Sequence, residues 1–293
     1  MPHTDASRIK ISVVIPTRNR AADLARTLAS LAAQTRPPDE LILVDQSLSD
    51  EAREGSGEYA WRRLIHIRDS GLKGLPAARN VGFAASTGDV VCFLDDDVTL
   101  DARYLAEMER GFELFPEWAG LTGRLTEEGH RPLWRGFKAA LFRYRFLRDR
   151  RHVLATLKAP RSMRLLPGCA FCLRREVLER FLFDEGLEGY ALGEDVDFFL
   201  RAGRTFRFGA LPAATAHHRR SQVGRAAGAK MYDSVMASAK YLRARHRSNF
   251  ADDVAYFWFL VGLRFERWLG RAQVESESRL GLPSAVQTPP DVE

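Results

Sequence analysis

The first half of the chain alternates short apolar runs with amphipathic stretches. Ile11 to Ile15 is a β-branched run closed by Pro16, which predicts a strand ending at a turn. Leu24, Leu28 and Leu31 recur at helical spacing and predict a helix over 21–34. Pro37-Pro38 stops it. Leu41 to Val44 and Leu64 to Ile67 read as further strands, with a polar loop or short helix over 50–60 between them. Gly71 to Gly82 is a glycine-bearing loop feeding a helix with Pro76 in its first turn, a favoured place for proline. That helix leads to Val90-Val91-Cys92-Phe93-Leu94, the uninterrupted apolar run of a strand buried on both faces. Strands and helices alternating in this way predict an α/β fold, with a Rossmann-like, mostly parallel central sheet flanked by helices.

The second half is less regular. Thr99 reads as the N-cap of a helix over 101–112, Trp118 to Leu125 as a strand, and Arg164 to Leu173 as a buried strand bent at Pro167-Gly168. Gly186, Gly189 and Gly193 flex the chain before a short helix that opens at Glu194 and is capped by Gly203. Thr205 to Leu211 and Ala213 to Ala216 read as closing strands. A helical extension follows, first a long helix over 225–247 rich in Ala, Lys and Arg, then an aromatic stretch over 254–268 that is apolar nearly all round. Such a stretch should bury against the domain, a second copy of the chain, or a bilayer surface.

Composition adds bounds. With 293 residues and 45% hydrophobic content, the chain can build a substantial core. Its formal charge of +6 suits anionic partners such as nucleotides, nucleic acid or acidic lipid and selects none of them. The three cysteines, Cys92, Cys169 and Cys172, sit in apolar runs and read as reduced core thiols of a cytoplasmic protein. Cys169 and Cys172 form a CxxC, but no second pair completes a zinc site. Residues 1–10 are polar and read as a tail without a signal segment, and no stretch reaches the ~18 apolar residues of a membrane-spanning helix. Between Arg131 and Arg151, eight Arg or Lys face a single acid, Asp149, with Trp134, Phe137, Leu141 and Tyr144 on one helical face. That pattern fits a segment lying on an anionic membrane, or an ordinary helix packed on the sheet. Acids on the proposed rim would repel the phosphates of nucleic acid.

Those acids are the sharpest chemical feature. The run ending at Leu94 meets Asp95-Asp96-Asp97, and ligands of open α/β sheets bind outside the carboxyl ends of the strands. In extended backbone Asp95 and Asp97 share one side while Asp96 points the other way. Two hard oxygen donors on one side suit Mg²⁺ or Mn²⁺; an acidic turn exposed to water is the alternative. The turns at 16–20, 45–47, 71–79 and 95–97 would line one rim. Backbone amides at the helix start, with Lys73 and Arg79, could hold a diphosphate there.

Together these stretches carry a resemblance. Ile11-Ser12-Val13-Val14-Ile15-Pro16-Thr17-Arg18-Asn19-Arg20, Leu43-Val44-Asp45-Gln46-Ser47, Ala78-Arg79-Asn80-Val81-Gly82 and Phe93-Leu94-Asp95-Asp96-Asp97 occur in the order and rough spacing of family 2 glycosyltransferases, enzymes of the GT-A fold. The likeness covers about residues 10–220. It implies a GT-A domain over 11–224, with a nucleotide-binding half (11–115) and an acceptor-binding half (116–224); beyond it the residue pattern predicts C-terminal helices (225–270) and, where the chain turns polar, a disordered tail (271–293). The resemblance implies a UDP- or dTDP-sugar donor held by Pro16, Thr17, Arg18, Asn19, Asp45, Gln46, Lys73, Arg79, Asp95 and Asp96. Asp95 would lie toward the ribose and Asp97 would bind the divalent cation. Where relatives commonly carry a second aspartate after the second strand, this chain has Gln46, whose amide can still accept from a ring N–H and donate to a ring carbonyl.

Phe183-Asp184-Glu185 followed by Glu194-Asp195-Val196-Asp197 matches the acceptor-side motif of that family. The resemblance makes Asp195 the catalytic base of an inverting transfer, with Glu194 the second candidate, and Gly168 and Glu194 are expected on the acceptor side. It makes His217 a third metal ligand. Gln222-Val223-Gly224-Arg225 begins like the QxxRW element of processive synthases, but Ala226 replaces the tryptophan, which favours transfer of a single sugar. The acceptor implied is a cell-surface glycan or lipid-linked molecule, met by a cytoplasmic enzyme on the inner membrane face and paired through its C-terminal helices. A nucleotidyltransferase on a related sheet and a non-catalytic membrane scaffold are the rival classes.

Overall fold

The computed structural model describes residues 8–48, 59–127, 151–187, 193–221, 223, 228–246, 249–251, 253–254, 256–262 and 264. The basic stretch from Arg131 falls outside them up to residue 150, as does the tail over 271–293. Strands β1 (Ile11–Thr17), β2 (Glu40–Asp45), β3 (Leu64–Arg68) and β4 (Val90–Leu94) lie parallel in the order β3-β2-β1-β4. Every residue of β1, β2 and β4 is buried, so their apolar runs are covered on both faces. Helices α1 (Ala21–Ala32) and α2 (Gly74–Ala85) are the crossovers between them.

The other half of the sheet is mixed. Val98–Leu100 forms a short strand, β5, rather than the cap of a helix, because Val98 and Leu100 bury against the strand they pair with while Thr99 faces outward. Helix α3 starts at Tyr104 and ends at Leu114. Then follow β6 (Trp118–Glu127), α4 (Arg151–Ala155), β7 (Arg161–Met163), β8 (Ala170–Arg174), α5 (Arg175–Arg180), α6 (Glu194–Ala202), β9 (Arg207–His218) and α7 (Gly228–His246). The predicted strand over 164–173 is thus broken by its Pro167-Gly168 bend, whereas the two closing strands are one, running through Pro212. Strand β8 inserts antiparallel between β4 and β6, and β9 lies between β6 and β5.

Two apolar layers sandwich the sheet. One packs Val13, Ile15, Leu41 and Leu43 against Leu24, Leu28 and Leu31 of α1 and against Leu105, Met108 and Phe112 of α3. The other packs Val14, Phe93 and Phe171 against α6 and α7. Phe183 stacks on Phe198 at 4.4 Å, and Phe199 meets Phe171 and Phe208 edge-on at 5.3 and 5.0 Å. Each such ring contributes roughly 1.5–3 kcal/mol when fully buried. Helix α6 is therefore fixed to the sheet by aromatic packing, with its N-terminus at the rim.

The described residues between 250 and 264 are helical. Tyr256 and Phe259 bury against the second layer, while Phe250, Val254, Phe257, Trp258 and Val261 are exposed. Of the three burial surfaces expected for this stretch, the domain itself therefore takes one face. Among the described residues no helix is long and apolar enough to cross a membrane.

Candidate active site

The carboxyl ends of β1, β2 and β4 converge with the start of β8 and the end of β9. Asp97 and Asp95 meet His218 there: one ligand atom from each lies within 4.8 Å of the others. His218 Nε2 is 3.1 Å from Asp97 Oδ1, and its Nδ1 is 3.4 Å from Oε1 of Glu127, the last residue of β6, whose side chain is fully buried. Burial opposes a charged imidazole, but Cys169, Asp97 and Glu127 outweigh it and push His218 up to about 12. A protonated imidazole offsets the acids around it, and it has to give up a proton before it can ligate a cation there.

His217 was the expected ligand and is not the one brought here. Its Nδ1 lies 2.8 Å from Thr126 Oγ1, on the other side of β9. Successive residues of a strand point to opposite faces, so one step in register decides which histidine meets Asp97. Ala214 and Ala216 are buried on the His218 side. That alternation was available in the sequence, but Ala213 blurs its parity. Glu127 was missed altogether, since only the pairing of β6 with β9 brings it opposite His218.

Asp95 and Asp97 do lie together, although through a turn in which the Val98 amide donates to the Asp95 carbonyl rather than through extended backbone. Asp96 points away from the cluster, accepting from Thr17 Oγ1 at 2.9 Å and from Arg20 at 3.0 Å. Burial raises its carboxyl to about 6 against the pull of Arg20 and Thr17. It holds the turn after β1 to the turn after β4. Within the β1 turn, Pro16 and Thr17 are buried, and Arg18 and Asn19 are exposed. Asn19 takes a left-handed φ of 53° and donates its N–H to Ser47 Oγ. Asp45 is fully buried, accepting from the Ser47 amide and lying 3.3 Å from His66 Nε2. The Gln46 side-chain amide donates to the Leu72 and Gly74 carbonyls, so its hydrogens brace the loop before α2 and its carbonyl oxygen remains as an acceptor.

Lys73 is exposed at the start of α2, as a diphosphate ligand would be. Arg79 is not. Its side chain is 1% exposed and lies beneath the rim, where Nη1 donates to Glu194 at 2.7 Å and Nη2 to the Gly168 carbonyl at 2.6 Å and to Asp95 at 3.3 Å. The rings of Phe171 and Phe183 flank the guanidinium at 5.5 and 5.3 Å. The expected diphosphate contact is thus replaced by an internal bridge between two halves of the site.

Asp195 stands at the other end of that bridge. Gly193, at φ 90°, takes the left-handed turn that starts α6 and leaves Asp195 in the first turn, half-buried. Its Oδ2 accepts the Gly168 amide at 2.9 Å, and its Oδ1 accepts the amide of Val196 at 2.8 Å. The Cys169 carbonyl accepts the amide of Asp95 at 2.9 Å. One backbone turn, Gly168-Cys169, therefore bonds to Asp195 on one side and to Asp95 on the other.

The Glycosyl transferase family 2 model matches residues 12–182. The chain belongs to that family. Among curated proteins, this family 2 member is 31% identical over 230 residues to a pre-mycofactocin glycosyltransferase of Mycobacterium tuberculosis, covering 76% of this chain and 45% of that protein. It is 25% identical to the probable glycosyltransferase YdaM of Bacillus subtilis, over 87% of this chain and 63% of that one. The family 2 chain thus spans about half the length of these relatives. Among solved structures, TarS 1–349 of S. aureus with UDP-GlcNAc superposes with a TM-score of 0.56 at 19% identity, covering 86% of this chain and 72% of that one. A mannosyltransferase of Pyrobaculum calidifontis with GDP-Man and Mn²⁺ gives 0.60 at 15% identity, covering 94% and 76%. At such identities the likeness shows the fold, and the fold of this family 2 chain is GT-A.

Proposed function

We propose that the chain moves one sugar from a nucleotide-sugar to an acceptor hydroxyl, with inversion at the anomeric carbon. A single observation carries the reading: the Gly168-Cys169 turn binds both Asp195 and Asp95, so a candidate base and an acidic cluster share one wall of the rim.

The donor set fits a divalent cation, since Asp95, Asp97 and His218 offer two hard carboxylates and one imidazole, a mix that suits Mn²⁺ at least as well as Mg²⁺. Bound there, a cation supplies positive charge against the diphosphate as it departs. Asp195, oriented by two N–H donors, takes the proton of the acceptor hydroxyl. The alcohol oxygen attacks the anomeric carbon opposite the diphosphate, which leaves with the electron pair of the breaking C–O bond. One displacement of this kind inverts the centre. The remaining Gln46 carbonyl oxygen can accept a ring N–H, which supports a UDP- or dTDP-sugar.

The acceptor in this reading is a cell-surface glycan or lipid-linked molecule, and the enzyme is cytoplasmic and peripheral to the membrane. The exposed stripe Phe250, Val254, Phe257, Trp258 and Val261 supports it, because these positions recur along one side of a helix. Pairing with a second copy through the same stripe is the alternative. Co-sedimentation with phosphatidylglycerol vesicles, beside light scattering of the free protein, separates the two.

A thermal-shift screen of UDP-, dTDP- and GDP-sugars with Mn²⁺ tests the donor. One UDP- or dTDP-sugar should stabilise the chain only when Mn²⁺ is present. Asp195→Asn should then keep that stabilisation and lose transfer; full turnover in this variant removes the base assignment. Nucleotidyl transfer, the rival chemistry, would release or consume pyrophosphate.

A further inference from the structure

Helix α6 carries three acids in its first turn, and the mechanism uses only the face of Asp195. Asp197 lies two residues on, about 200° around the helix, and so faces away from the rim. Its side chain is wholly buried. A buried carboxylate persists only when it is paired, and this one is paired from two helices. Arg201 of α6 donates to Oδ2 at 2.7 Å. His246, the last residue of α7, places Nε2 2.7 Å from Oδ1, and Arg245 Nε lies 3.2 Å from the same oxygen.

The network continues past Asp197. Arg245 reaches Asp184 at 2.6 Å, and the Tyr241 hydroxyl donates to Asp184 at 2.5 Å. Asp184 follows Phe183, whose amide donates to Asn80 Oδ1 and whose carbonyl accepts from Asn80 Nδ2. Asn80 is the neighbour of Arg79, which holds Glu194. The first turn of α6 is thus gripped twice, by Arg79 on the site side and by α7 behind. Asp184, Asp197, Tyr241, Arg245 and His246 all lie beyond the 12–182 segment that the family model matches.

Buried ionic networks add little net stability compared with apolar packing of the same volume, but they fix geometry. Aromatic packing already anchors α6. What the Asp197–His246 contact adds is a definite rotation of the helix about its own axis, and that rotation sets where Asp195 aims. A 1 Å error in aim costs on the order of 100-fold in rate.

We propose that His246 is a positioning residue for the transfer reaction: by holding Asp197 it sets the rotation of α6, and hence the aim of Asp195 at the acceptor. The inference rests on Asp195 being the base.

The test uses the full chain with His246→Gln, His246→Asn and Asp195→Asn. A glutamine amide nitrogen reaches the place of the ring Nε2, whereas an asparagine falls short of it. Transfer is measured with the nucleotide-sugar selected by thermal shift and an octyl glycoside acceptor, UDP binding with Mn²⁺ by calorimetry, and exchange of the α6 amides by mass spectrometry. His246→Asn should lower kcat at least tenfold, leave donor KM and UDP affinity within twofold, and raise α6 exchange. His246→Gln should recover most of the kcat and the protection. Equal and measurable kcat in the Asn and Gln variants overturns the proposal, as does a loss of kcat matched by an equal loss of UDP affinity. If neither variant transfers sugar, unchanged α6 protection in His246→Asn overturns it as well. Full activity in Asp195→Asn removes the base assignment itself; an inactive Asp195→Asn beside a fully active His246→Asn removes the clamp alone.

Discussion

Gly168 and Asp195 are in direct contact: the amide of one donates to Oδ2 of the other at 2.9 Å, and a Cβ placed on residue 168 would lie 3.2 Å from that same oxygen. The same Cβ would lie 3.2 Å from Glu194 Oε1. A methyl group here is tighter than ordinary contact, so both carboxylates have to give by a few tenths of an ångström. Gly168→Ala should therefore lower kcat by about 10- to 100-fold while Mn²⁺-dependent nucleotide binding stays within a factor of about three. Steady-state kinetics beside calorimetry reads both. Unchanged kcat would show that the position of Asp195 does not limit the reaction.

The two histidines at the end of β9 make a paired prediction. His218→Ala removes an imidazole beside Asp95 and Asp97, and should weaken Mn²⁺ binding by roughly 10- to 100-fold, as loss of a ligand or its close support does. His217→Ala removes the contact with Thr126, on the other side of β9, and should leave Mn²⁺ affinity within about twofold. Electron paramagnetic resonance titration of free Mn²⁺ measures both variants without any turnover. The opposite ranking would mean that β9 is one residue out of register.

Arg79 neutralises Glu194 and Asp95 from a position that water does not reach. Removing one partner of a buried ion pair strands the other, at a cost of about 3–5 kcal/mol. Arg79→Met should destabilise the chain by that amount in urea unfolding. Arg79→Lys should recover only part of it, because an ammonium cannot span the Glu194, Asp95 and Gly168 acceptors as a planar guanidinium does. A fully stable Arg79→Met would show the bridge to be dispensable.

Glu194 gives a pH dependence with a definite sign. Burial and the Asp195 charge push its carboxyl from 4.5 up to about 7, against the pull of Arg79, with Asp95 adding to the rise. Below about pH 4.5 the group is neutral whether the chain is folded or not. As pH rises toward 7 the unfolded chain loses this proton first, so folding stability falls, by about 3 kcal/mol at most. Glu194→Gln lacks that slope. Plotted against pH, the stability of the parent relative to Glu194→Gln should decline between pH 4.5 and 7 and then level off. Denaturant midpoints across that range check it, and a rising difference would contradict it.

How much of this could be read from the sequence follows from how local each signal is. The parallel strands were legible because residues buried on both faces leave unbroken apolar runs, as in Val90 to Leu94. Asp95 and Asp97 were expected on one side from alternation in extended chain, and they do lie together, but in a turn running from Asp95 to Val98. Asp195 came from resemblance, and the structure adds the Gly168 turn that places it. The identity of the histidine was half-legible, because the alternation along β9 is local but Ala213 blurs it; the partner of Arg79 and the presence of Glu127 were not legible, because each depends on which distant strand or helix lies alongside. Arg79 and Glu194 are 115 positions apart in the chain, and nothing near Arg79 announces that it will be covered. Val98–Leu100 misled in the same way, since three residues become a strand only when β9 is present to pair with them.

Strand β9 enters the sheet between β6 and β5, and it carries His218 to Asp95 and Asp97. On a ribosome both aspartates emerge well ahead of that imidazole, and ahead of α6 with Asp195. Until the later segments arrive, Arg79 is already present to balance Asp95, but Asp97 still lacks the imidazole that pairs with it. The rim is therefore among the last regions of this chain to be completed during synthesis, and a chain released early, before residue 218, would carry Asp97 without the imidazole that lies 3.1 Å from it.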